Sequence, residues 1–471
     1  MVSLAKQTLR ILHTNDLHSQ LDKWPAVTQL LNERRNEAYR KSEEVLLFDI
    51  GDHCDRAHPM TDALLGKGNV QLLNDMAYDA VTIGNNEGIT FSKDQLDHLY
   101  DEAQFPVVLS NLKNKDGTRP EWTDPYKIFT LKSGLKVGVT GVTAPFRLFY
   151  ETLGWKVTDP FSELEDTVNE LRPKVDILIC LSHLGFSEDE KMADDFPSFD
   201  IILGAHTHHV LEKGKKVNNT WINQSGRSGA FIGEVCLEFE KETESRFQVS
   251  VQNVQSIKVN EGIRDEETEK SLNHLLLSSS AELNKQITVL ESGLDVEWYH
   301  KSKFPVMLAE TLREWCEAEI SMVNSGVLLK SLPKGPVTVR DLHEICPHPI
   351  NPATVMISGE RLLETIRQSR QEEMITFALK GFGFRGKVLG YMVFDNLTIS
   401  DNSRYLNEKN VLIDGAPLQR DRKYKLATLD MFTFGQLYPA ISSINEKKYH
   451  MPEFLRDLLA WKLNKINGSP T

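Results

Sequence analysis

The feature that most constrains the fold is a series of short hydrophobic, β-rich runs that alternate with segments of helical period. Between residues 8 and 204, runs such as EVLLFDIGD, DAVTIGN, VDILICLSH and FDIILGAH are separated by stretches such as WPAVTQLLNERRNEAY and FSELEDTVNELRPK. This alternation is typical of α/β layering. After it come TWINQSG, AFIGEVCLEFE and FQVSVQNVQSIKV, whose period of two predicts antiparallel strands.

The length of the chain predicts two domains. At 471 residues it is too long for one ordinary core. A charged segment with spaced leucines, DEETEKSLNHLLLSSSAELNKQI, predicts a joining helix. We therefore expect a first domain over 1–262, a connecting helix over 263–287 and a second α/β domain over 288–471.

The net charge limits the classes of binding partner, and the cysteine content indicates the cellular compartment. A net charge of −13 argues against binding a nucleic acid polymer or an anionic membrane, but it permits a small phosphorylated ligand. The amino terminus has no apolar stretch of signal-peptide length, and no window approaches a membrane span. The five cysteines are odd in number and suit reduced thiols, so we expect a cytoplasmic protein. Nothing in the sequence indicates an oligomeric state.

Each buried run of the first domain is followed by a polar side chain of metal-ligand type. There are seven: Asp16 and His18 after RILHTN, Asp52 after LLFDIG, Asn85 after AVTIG, His183 after DILICLS, and His206 and His208 after DIILGA. Ligands collect at the carboxyl ends of strands in α/β sheets, so these side chains are expected to converge. A single one would more often be a turn former or a helix cap. The repetition predicts a site.

The residue types indicate the chemistry of that site. A carboxylate can bridge two ions while Asp, His and Asn side chains fill the other positions, which suits Mn²⁺, Zn²⁺ or Fe better than Ca²⁺. Two divalent ions about 3.5–4 Å apart would hold a bridging hydroxide in line for attack on phosphorus and neutralise the oxygens that gain charge. The pattern predicts a binuclear metal site of unknown metal identity.

Several motifs resemble one known family. HTNDLHSQL, DIGDH, IGNNEG, CLSHLG and LGAHTHH are similar to the calcineurin-like metallophosphoesterases, specifically the two-domain 5′-nucleotidase / UDP-sugar hydrolase / 2′,3′-cyclic phosphodiesterase family. ISMVNSG and YKLATLDMF resemble that family's C-terminal domain. The resemblance implies a four-layer β-sandwich flanked by helices, followed by a second α/β domain that binds substrate. It also implies one metal held by Asp16, His18, Asp52 and His208, and another held by Asp52, Asn85, His183 and His206, with Asp52 as the bridge.

The chain departs from the family at its catalytic dyad. The family has GNHE with an acidic residue two positions on, and this His and Asp stabilise the transition state and protonate the leaving group. Here GNNEGI places Asn86 at the His position and Ile89 at the Asp position. An amide donates a hydrogen bond but does not give up a proton, so the loss falls hardest on poor leaving groups such as a ribose alkoxide.

Two functions remain open from the sequence. The first is a hydrolase of nucleotides or related phosphate esters and anhydrides, with an altered leaving-group preference because of Asn86. The alternative is a catalytically weak or silent protein that binds metal and nucleotide. His53, directly after Asp52 in GDHCDRAH, is a candidate replacement acid, and the alternative for it is a solvated loop histidine.

The second domain departs from the family as well. Where the resemblance leads us to expect NxGGxR, the chain has NSGVLLK, which keeps Asn324 and Gly326 but replaces the arginine with Leu329. Phe384 is a candidate for stacking one face of a substrate ring, and Phe432 or Phe434 is the candidate for the other face. Arg385 is placed to meet a phosphate, although aromatic residues at such spacing also occur in cores. We expect a small phosphorylated substrate, a nucleotide by the resemblance.

Overall fold

The chain divides into two compact units. The structure, a computed structural model, describes residues 6–243, 246–381, 383–400 and 406–466, and the units cover Met1–Ser279 and Ser280–Thr471. The boundary falls within a helix over Glu266–Leu283, which lies in the leucine-spaced segment. Among the described residues, no helix combines the length and the apolar character needed to cross a membrane.

Fifteen strands and nine helices of the first unit are described. The strands are β1 (Gln7–Thr14), β2 (Glu44–Asp49), β3 (Ala80–Val81), β4 (Val107–Val108), β5 (Leu112–Asn114), β6 (Thr123–Asp124), β7 (Tyr126–Thr130), β8 (Lys136–Thr143), β9 (Trp155–Val157), β10 (Ile177–His183), β11 (Ile201–Gly204), β12 (Lys215–Val217), β13 (Thr220–Gln224), β14 (Phe231–Thr243) and β15 (Arg246–Lys258). The helices are α1 (Trp24–Arg40), α2 (Pro59–Ala63), α3 (Lys67–Asp75), α4 (Asn85–Thr90), α5 (Lys93–Asp97), α6 (Arg147–Leu153), α7 (Pro160–Leu171), α8 (Phe186–Asp195) and α9 (Glu266–Leu283).

Two sheets pack face to face in this unit. One has the order β15-β14-β1-β2-β3-β4-β6 and the other the order β12-β13-β11-β10-β8-β7. Strand β10 is buried on both of its faces. Ile177, Ile179 and Leu181 lie in the core between the two sheets, whereas Leu178 and Cys180 lie in the core between the sheet and helices α7 and α8. A strand that is buried on both faces is apolar throughout, as the sequence indicated. Helix, sheet, sheet and helix form the expected four layers.

One predicted strand runs in a different direction from that expected. TWINQSG was expected to be antiparallel, but β13 pairs in parallel with β11 and antiparallel only with the short β12. The β12–β13 hairpin reverses the chain, so β13 re-enters the sheet beside β11 in the same direction. Strands β14 and β15 are antiparallel to each other, as predicted.

The second unit is an α/β fold around a mixed sheet. Its strands are β16 (Gln286–Leu290), β17 (Ile320–Asn324), β18 (Gly335–Thr338), β19 (Pro352–Ser358), β20 (Met392–Asp395), β21 (Leu397–Ile399), β22 (Val411–Ile413), β23 (Ala416–Pro417), β24 (Lys423–Leu429) and β25 (Lys447–Tyr449). Its helices are α10 (Lys303–Trp315), α11 (Val339–Ile345), α12 (Gly359–Ser369), α13 (Glu372–Ile375), α14 (Pro439–Ser442) and α15 (Leu455–Ile466). The main sheet has the order β20-β17-β24-β19-β25, in which β17 and β24 are parallel.

Candidate metal centre

The predicted ligands come from the carboxyl ends of strands in both sheets of the first unit. Strands β1, β2 and β3 are parallel neighbours in one sheet, and β10 and β11 are parallel neighbours in the other. The first sheet supplies Asp16, His18, Asp52 and Asn85, and the second supplies His183, His206 and His208. The carboxyl ends of parallel strands lie at one edge of a sheet, so two such edges can face a common site.

The backbone at these ligands is unusual. Five of the seven have a positive φ: Asp16 (49°), His18 (49°), Asp52 (52°), His206 (75°) and His208 (59°). Residues other than glycine rarely adopt a positive φ, and such backbone strain costs about 1 kcal/mol or more per residue. The loops after β1 and β2 hold each other in place, because the N–H of Asp16 donates to the carbonyl of Gly51 and that of His18 to the carbonyl of Asp52. Strain of this kind is typical of functional sites.

One group of ligand atoms surrounds the carboxylate of Asp16. Its Oδ1 lies 3.4 Å from His208 Nε2 and 3.7 Å from His18 Nε2. The two imidazole nitrogens are 3.1 Å apart. The backbone N–H of His206 donates to the same carboxylate at 3.1 Å. A carboxylate and two imidazole nitrogens at this spacing form a ligand set for one divalent ion.

A second group lies around Asp52. The Oδ2 atom of Asp52 is 3.5 Å from His183 Nε2 and 3.7 Å from His18 Nε2. Asp16 belongs to both groups, because its Oδ1 also lies 4.0 Å from His183 Nε2. Both carboxylates therefore lie among these histidines, and the assignment of Asp52 as the bridge stays a prediction. The ring of His206 is centred 5.3 Å from that of His183. The structure thus groups the ligand atoms of five of the seven predicted ligands, Asp16, His18, Asp52, His183 and His208, and places the ring of His206 beside that of His183. The seventh, Asn85, opens α4, the helix that also carries Asn86.

Unsatisfied buried atoms test whether these residues fit a metal. The Nδ1 of His183 hydrogen-bonds the carbonyl of Ile50 at 2.7 Å, which leaves the lone pair on Nε2 directed at the carboxylates. That buried Nε2 makes no hydrogen bond, and neither does the buried Oδ1 of Asn85. Buried polar atoms are normally paired, and a backbone carbonyl on the far nitrogen is the usual support of a ligating histidine. The donor set fits two divalent ions.

The electrostatics of the cluster also suit a cation. Burial alone would lower the pKa of His183, but the carboxylates of Asp52 and Asp16 outweigh burial and raise this pKa to about 10. Burial lowers the pKa of His206 to about 4, so this imidazole is neutral at pH 7. A concentration of negative charge strong enough to hold a buried imidazolium would hold a divalent ion in its place, with release of the proton.

Metal removal is expected to destabilise the protein measurably. A ligand present at about 100 times its Kd stabilises the native state by about 2.7 kcal/mol, which for a unit of this size corresponds to about 5–10 °C in Tm. Calorimetry of metal-free protein with and without Mn²⁺ should therefore show a rise of this order in one transition. Ca²⁺ at the same concentration is the control, and an unchanged Tm with every transition metal would contradict the site.

Asn86 lies inside this cluster. Its backbone N–H donates to Asp52 Oδ1 at 2.7 Å, and its Nδ2 donates to Asp52 Oδ2 at 3.0 Å. The same Nδ2 is 2.8 Å from His18 Nδ1. Ile89, one turn further along α4, is half-buried. The amide therefore orients Asp52 and His18, and neither Asn86 nor Ile89 carries a titratable proton.

Glu87 is a site residue that the sequence did not single out. Its buried carboxylate accepts the backbone N–H groups of Asp52, Cys54 and Gly84 at 2.7–2.9 Å. These bonds tie the loop after β2 to the start of α4, so one side chain positions both Asp52 and the helix that Asn85 opens. Burial raises the pKa of Glu87 to about 7. Its position in the quoted IGNNEG motif was the available signal.

The structure argues against His53 as the replacement acid. Its ring packs edge-on against Trp24 at 5.1 Å and lies within hydrogen-bond distance of Asn69. Burial lowers the pKa of His53 to about 3, so the ring is neutral at pH 7 and is not the imidazolium that a general acid requires. Neither sequence alternative holds, because the ring is a core residue and not a solvated one.

The predicted substrate rings of the second unit are covered. Phe384 stacks on His348 with centroids 5.2 Å apart, and Phe432 packs edge-on against Tyr438 at 5.0 Å. Both phenylalanines belong to the hydrophobic core of this unit and are at most 4% exposed. In this structure they act as core residues, which is the alternative that the sequence left open, and a stacking role for them stays a prediction.

The polar candidates of the second unit are placed differently. Asn324 ends β17, donates from Nδ2 to the carbonyl of Leu389 and has a buried Oδ1 without a hydrogen bond. Gly326 allows the backbone of Val388 and Leu389 to pack directly against it, since a Cβ at position 326 would lie 2.0 Å from the carbonyl oxygen of Val388. Arg385 is exposed. A ligand-binding role for these three residues stays a prediction.

Comparison with known proteins adds independent findings. Residues 9–210 match the family model for calcineurin-like phosphoesterases, and residues 283–441 match that for the 5′-nucleotidase C-terminal domain. The chain is 43% identical over 462 residues to the uncharacterised metallophosphoesterase YunD of Bacillus subtilis, covering 97% of this chain and 99% of that one. A snake venom 5′-nucleotidase from Crotalus adamanteus is 24% identical over 94% of this chain and 82% of its own. The structure of the NAD nucleotidase of Haemophilus influenzae is similar with a TM-score of 0.65 and 15% identity, over 98% of this chain and 97% of that one.

Proposed function

This chain belongs to the calcineurin-like metallophosphoesterases that carry a 5′-nucleotidase C-terminal domain, and we propose that it prefers phosphodiesters, phosphoanhydrides and aryl esters over nucleoside monophosphates. It is a hydrolase of the class that uses two divalent metal ions. The finer proposal concerns its leaving groups. Its substrates are small phosphorylated molecules of the nucleotide kind.

The observation that carries the proposal is the placement of Asn86. Its amide is held by Asp52 and His18, in the position where the family has a histidine that protonates the leaving group. The nearest sequence candidate for a substitute, His53, is buried against Trp24 and is neutral. Without an acid, the departing oxygen must leave as an anion, which costs little for nitrophenolate or a phosphate and much for an alkoxide.

The remaining residues support hydrolysis itself. When bound, two divalent ions supply a water-derived nucleophile at neutral pH and neutralise charge on the phosphoryl oxygens. Asp16, Asp52 and the histidines fix the positions of those charges. Asn86 Nδ2 also offers a neutral hydrogen bond near the same place, which preserves part of the transition-state stabilisation that the family's histidine gives. Glu87 holds the backbone at Asp52 next to the start of α4, because its carboxylate accepts hydrogen bonds from the N–H groups of Asp52 and Gly84.

Turnover on matched substrates tests the proposal. Purified protein loaded with Mn²⁺ would be assayed with bis(4-nitrophenyl) phosphate, ADP, a nucleotide sugar, a cyclic nucleotide and AMP. We expect kcat/KM for AMP to be at least about 100-fold below that for the activated diester, as the loss of a general acid predicts. An AMP rate well above the diester rate would refute it. Absence of turnover with stoichiometric metal would favour the metal- and nucleotide-binding alternative.

We also propose a cytoplasmic location. Its support is that the cysteines are free thiols, of which Cys54, Cys180, Cys316 and Cys346 are buried. Reduced buried thiols suit a reducing compartment. Cell fractionation of the native producer would test this, and recovery of the protein outside the cytoplasm would contradict it.

A further inference from the structure

An exposed apolar lip lies beside the metal centre on the first unit. Phe146 is 38% exposed, although large aromatic side chains are usually covered, and the next apolar residue, Leu148, is 59% exposed. The ring of Phe146 is centred 5.8 Å from the ring of His206, in an edge-on arrangement at 61°. One of the predicted metal ligands therefore touches an aromatic ring that is also open to solvent.

The position of this lip follows from the sheet. Strand β8 ends at Thr143, which is paired with His183 at the end of β10. The chain then leaves the sheet at the metal centre and reaches Phe146 three residues later, just before α6. The lip is thus adjacent to the ligands in both sequence register and space.

Helix α6, which follows Phe146, packs against α4. On α6, Tyr150 is fully buried and Leu153 nearly so. Tyr150 packs so closely on Gly88 of α4 that a Cβ at this glycine would lie 1.9 Å from the phenol oxygen. The helix that carries Asn85 and Asn86 therefore contacts the helix that follows Phe146. This contact fixes the position of Phe146 relative to the predicted metal ligands.

We propose that Phe146 is a specificity-determining residue that packs against a ring in the part of the substrate that is not attacked. This inference rests on the proposed function and deepens it, since it names the substrate class as phosphoryl compounds that carry an aromatic or heteroaromatic ring near the phosphorus. The rings expected to do this in the second unit, Phe384 and Phe432, are covered by His348 and Tyr438. Phe146 contacts His206 and Phe149 edge-on and remains 38% exposed beside the ligands, so part of its ring is open to a substrate.

Binding of non-hydrolysable ligands tests this without requiring turnover. Titration calorimetry of Mn²⁺-loaded protein would compare phenylphosphonate with methylphosphonate, which share the metal-binding group and differ in the ring. We expect phenylphosphonate to bind about tenfold more tightly to the wild type, as an aromatic contact with burial of the ring predicts. Phe146→Ala should remove this difference, and Phe146→Tyr should retain it.

The matched control is Tyr39→Ala, which removes an 84% exposed aromatic ring from α1. It should leave the tenfold preference unchanged. The inference is overturned if the wild type shows no preference for the phenyl compound, or if Phe146→Ala keeps the preference. Equal weakening of both phosphonates by Phe146→Ala also overturns it, because the ring would then act only by supporting His206. Each outcome is independent of hydrolysis, so failure here leaves the proposed leaving-group preference to its own assay.

Discussion

Replacing Asp52 with asparagine is expected to lower kcat/KM on activated diesters by at least about a thousandfold, since metal-ion stabilisation of the transition state is worth several kcal/mol. Asp52 lies within 3.7 Å of both His18 and His183, and Asp16 is a second carboxylate near the same two rings, at 3.7 and 4.0 Å. Asparagine keeps the shape of the side chain but removes the negative charge that two cations would share.

The measurement for Asp52→Asn combines steady-state kinetics with metal content by elemental analysis. We expect the variant to lose activity and at least part of its bound metal while its far-ultraviolet circular dichroism stays unchanged. Asp116→Asn, in an exposed turn, is the matched charge control and should behave as wild type. A variant that retains wild-type activity would show that Asp52 does not hold the catalytic ions.

Restoring the family's dyad by Asn86→His with Ile89→Asp is expected to raise kcat/KM for AMP by roughly 100-fold, which is the lower range of a general-acid contribution. The same pair of changes should alter the rate for bis(4-nitrophenyl) phosphate by less than about threefold, because nitrophenolate leaves without protonation. The ratio of the two rates is therefore the diagnostic quantity, and it is insensitive to the fraction of active enzyme.

Two controls accompany the restored dyad. Ile89→Asp alone supplies the carboxylate without the imidazole and should leave the ratio unchanged. Metal content must match the wild type, because Asn86 contacts both Asp52 and His18 and the larger imidazole could displace them. If the AMP rate failed to rise while metal content and fold were retained, the missing dyad would not be the cause of the preference.

The location of the metal ligands was predictable because strand ends carry the information. Each hydrophobic run is local in sequence, and in an α/β fold the residue after it lies at the ligand-binding edge. Asp16, Asp52 and His183 could therefore be found without knowing how the two sheets pack. The helix at Glu266–Leu283 was predictable for the same reason, since its signal is local.

Other features depend on contacts that the sequence does not encode locally. The positive φ of Asp52 turns the chain at the site, and the next side chain, His53, packs into the core against Trp24 although it is adjacent in sequence. The spacing of Phe384 could not reveal whether its face meets a ligand or His348. The direction of β13 depends on the hairpin before it, and Glu87 acts through backbone groups far from it in the chain.

The most direct test is the dependence of kcat/KM on the leaving group. A series of phosphodiesters whose leaving groups span about six pKa units would be measured with Mn²⁺-loaded wild type at constant pH. Hydrolysis without a general acid predicts a steep line, with a loss of more than about 10³ from nitrophenolate to alkoxide. A flat profile across the series would show that a proton donor acts at the departing oxygen, and it would contradict the role assigned here to Asn86.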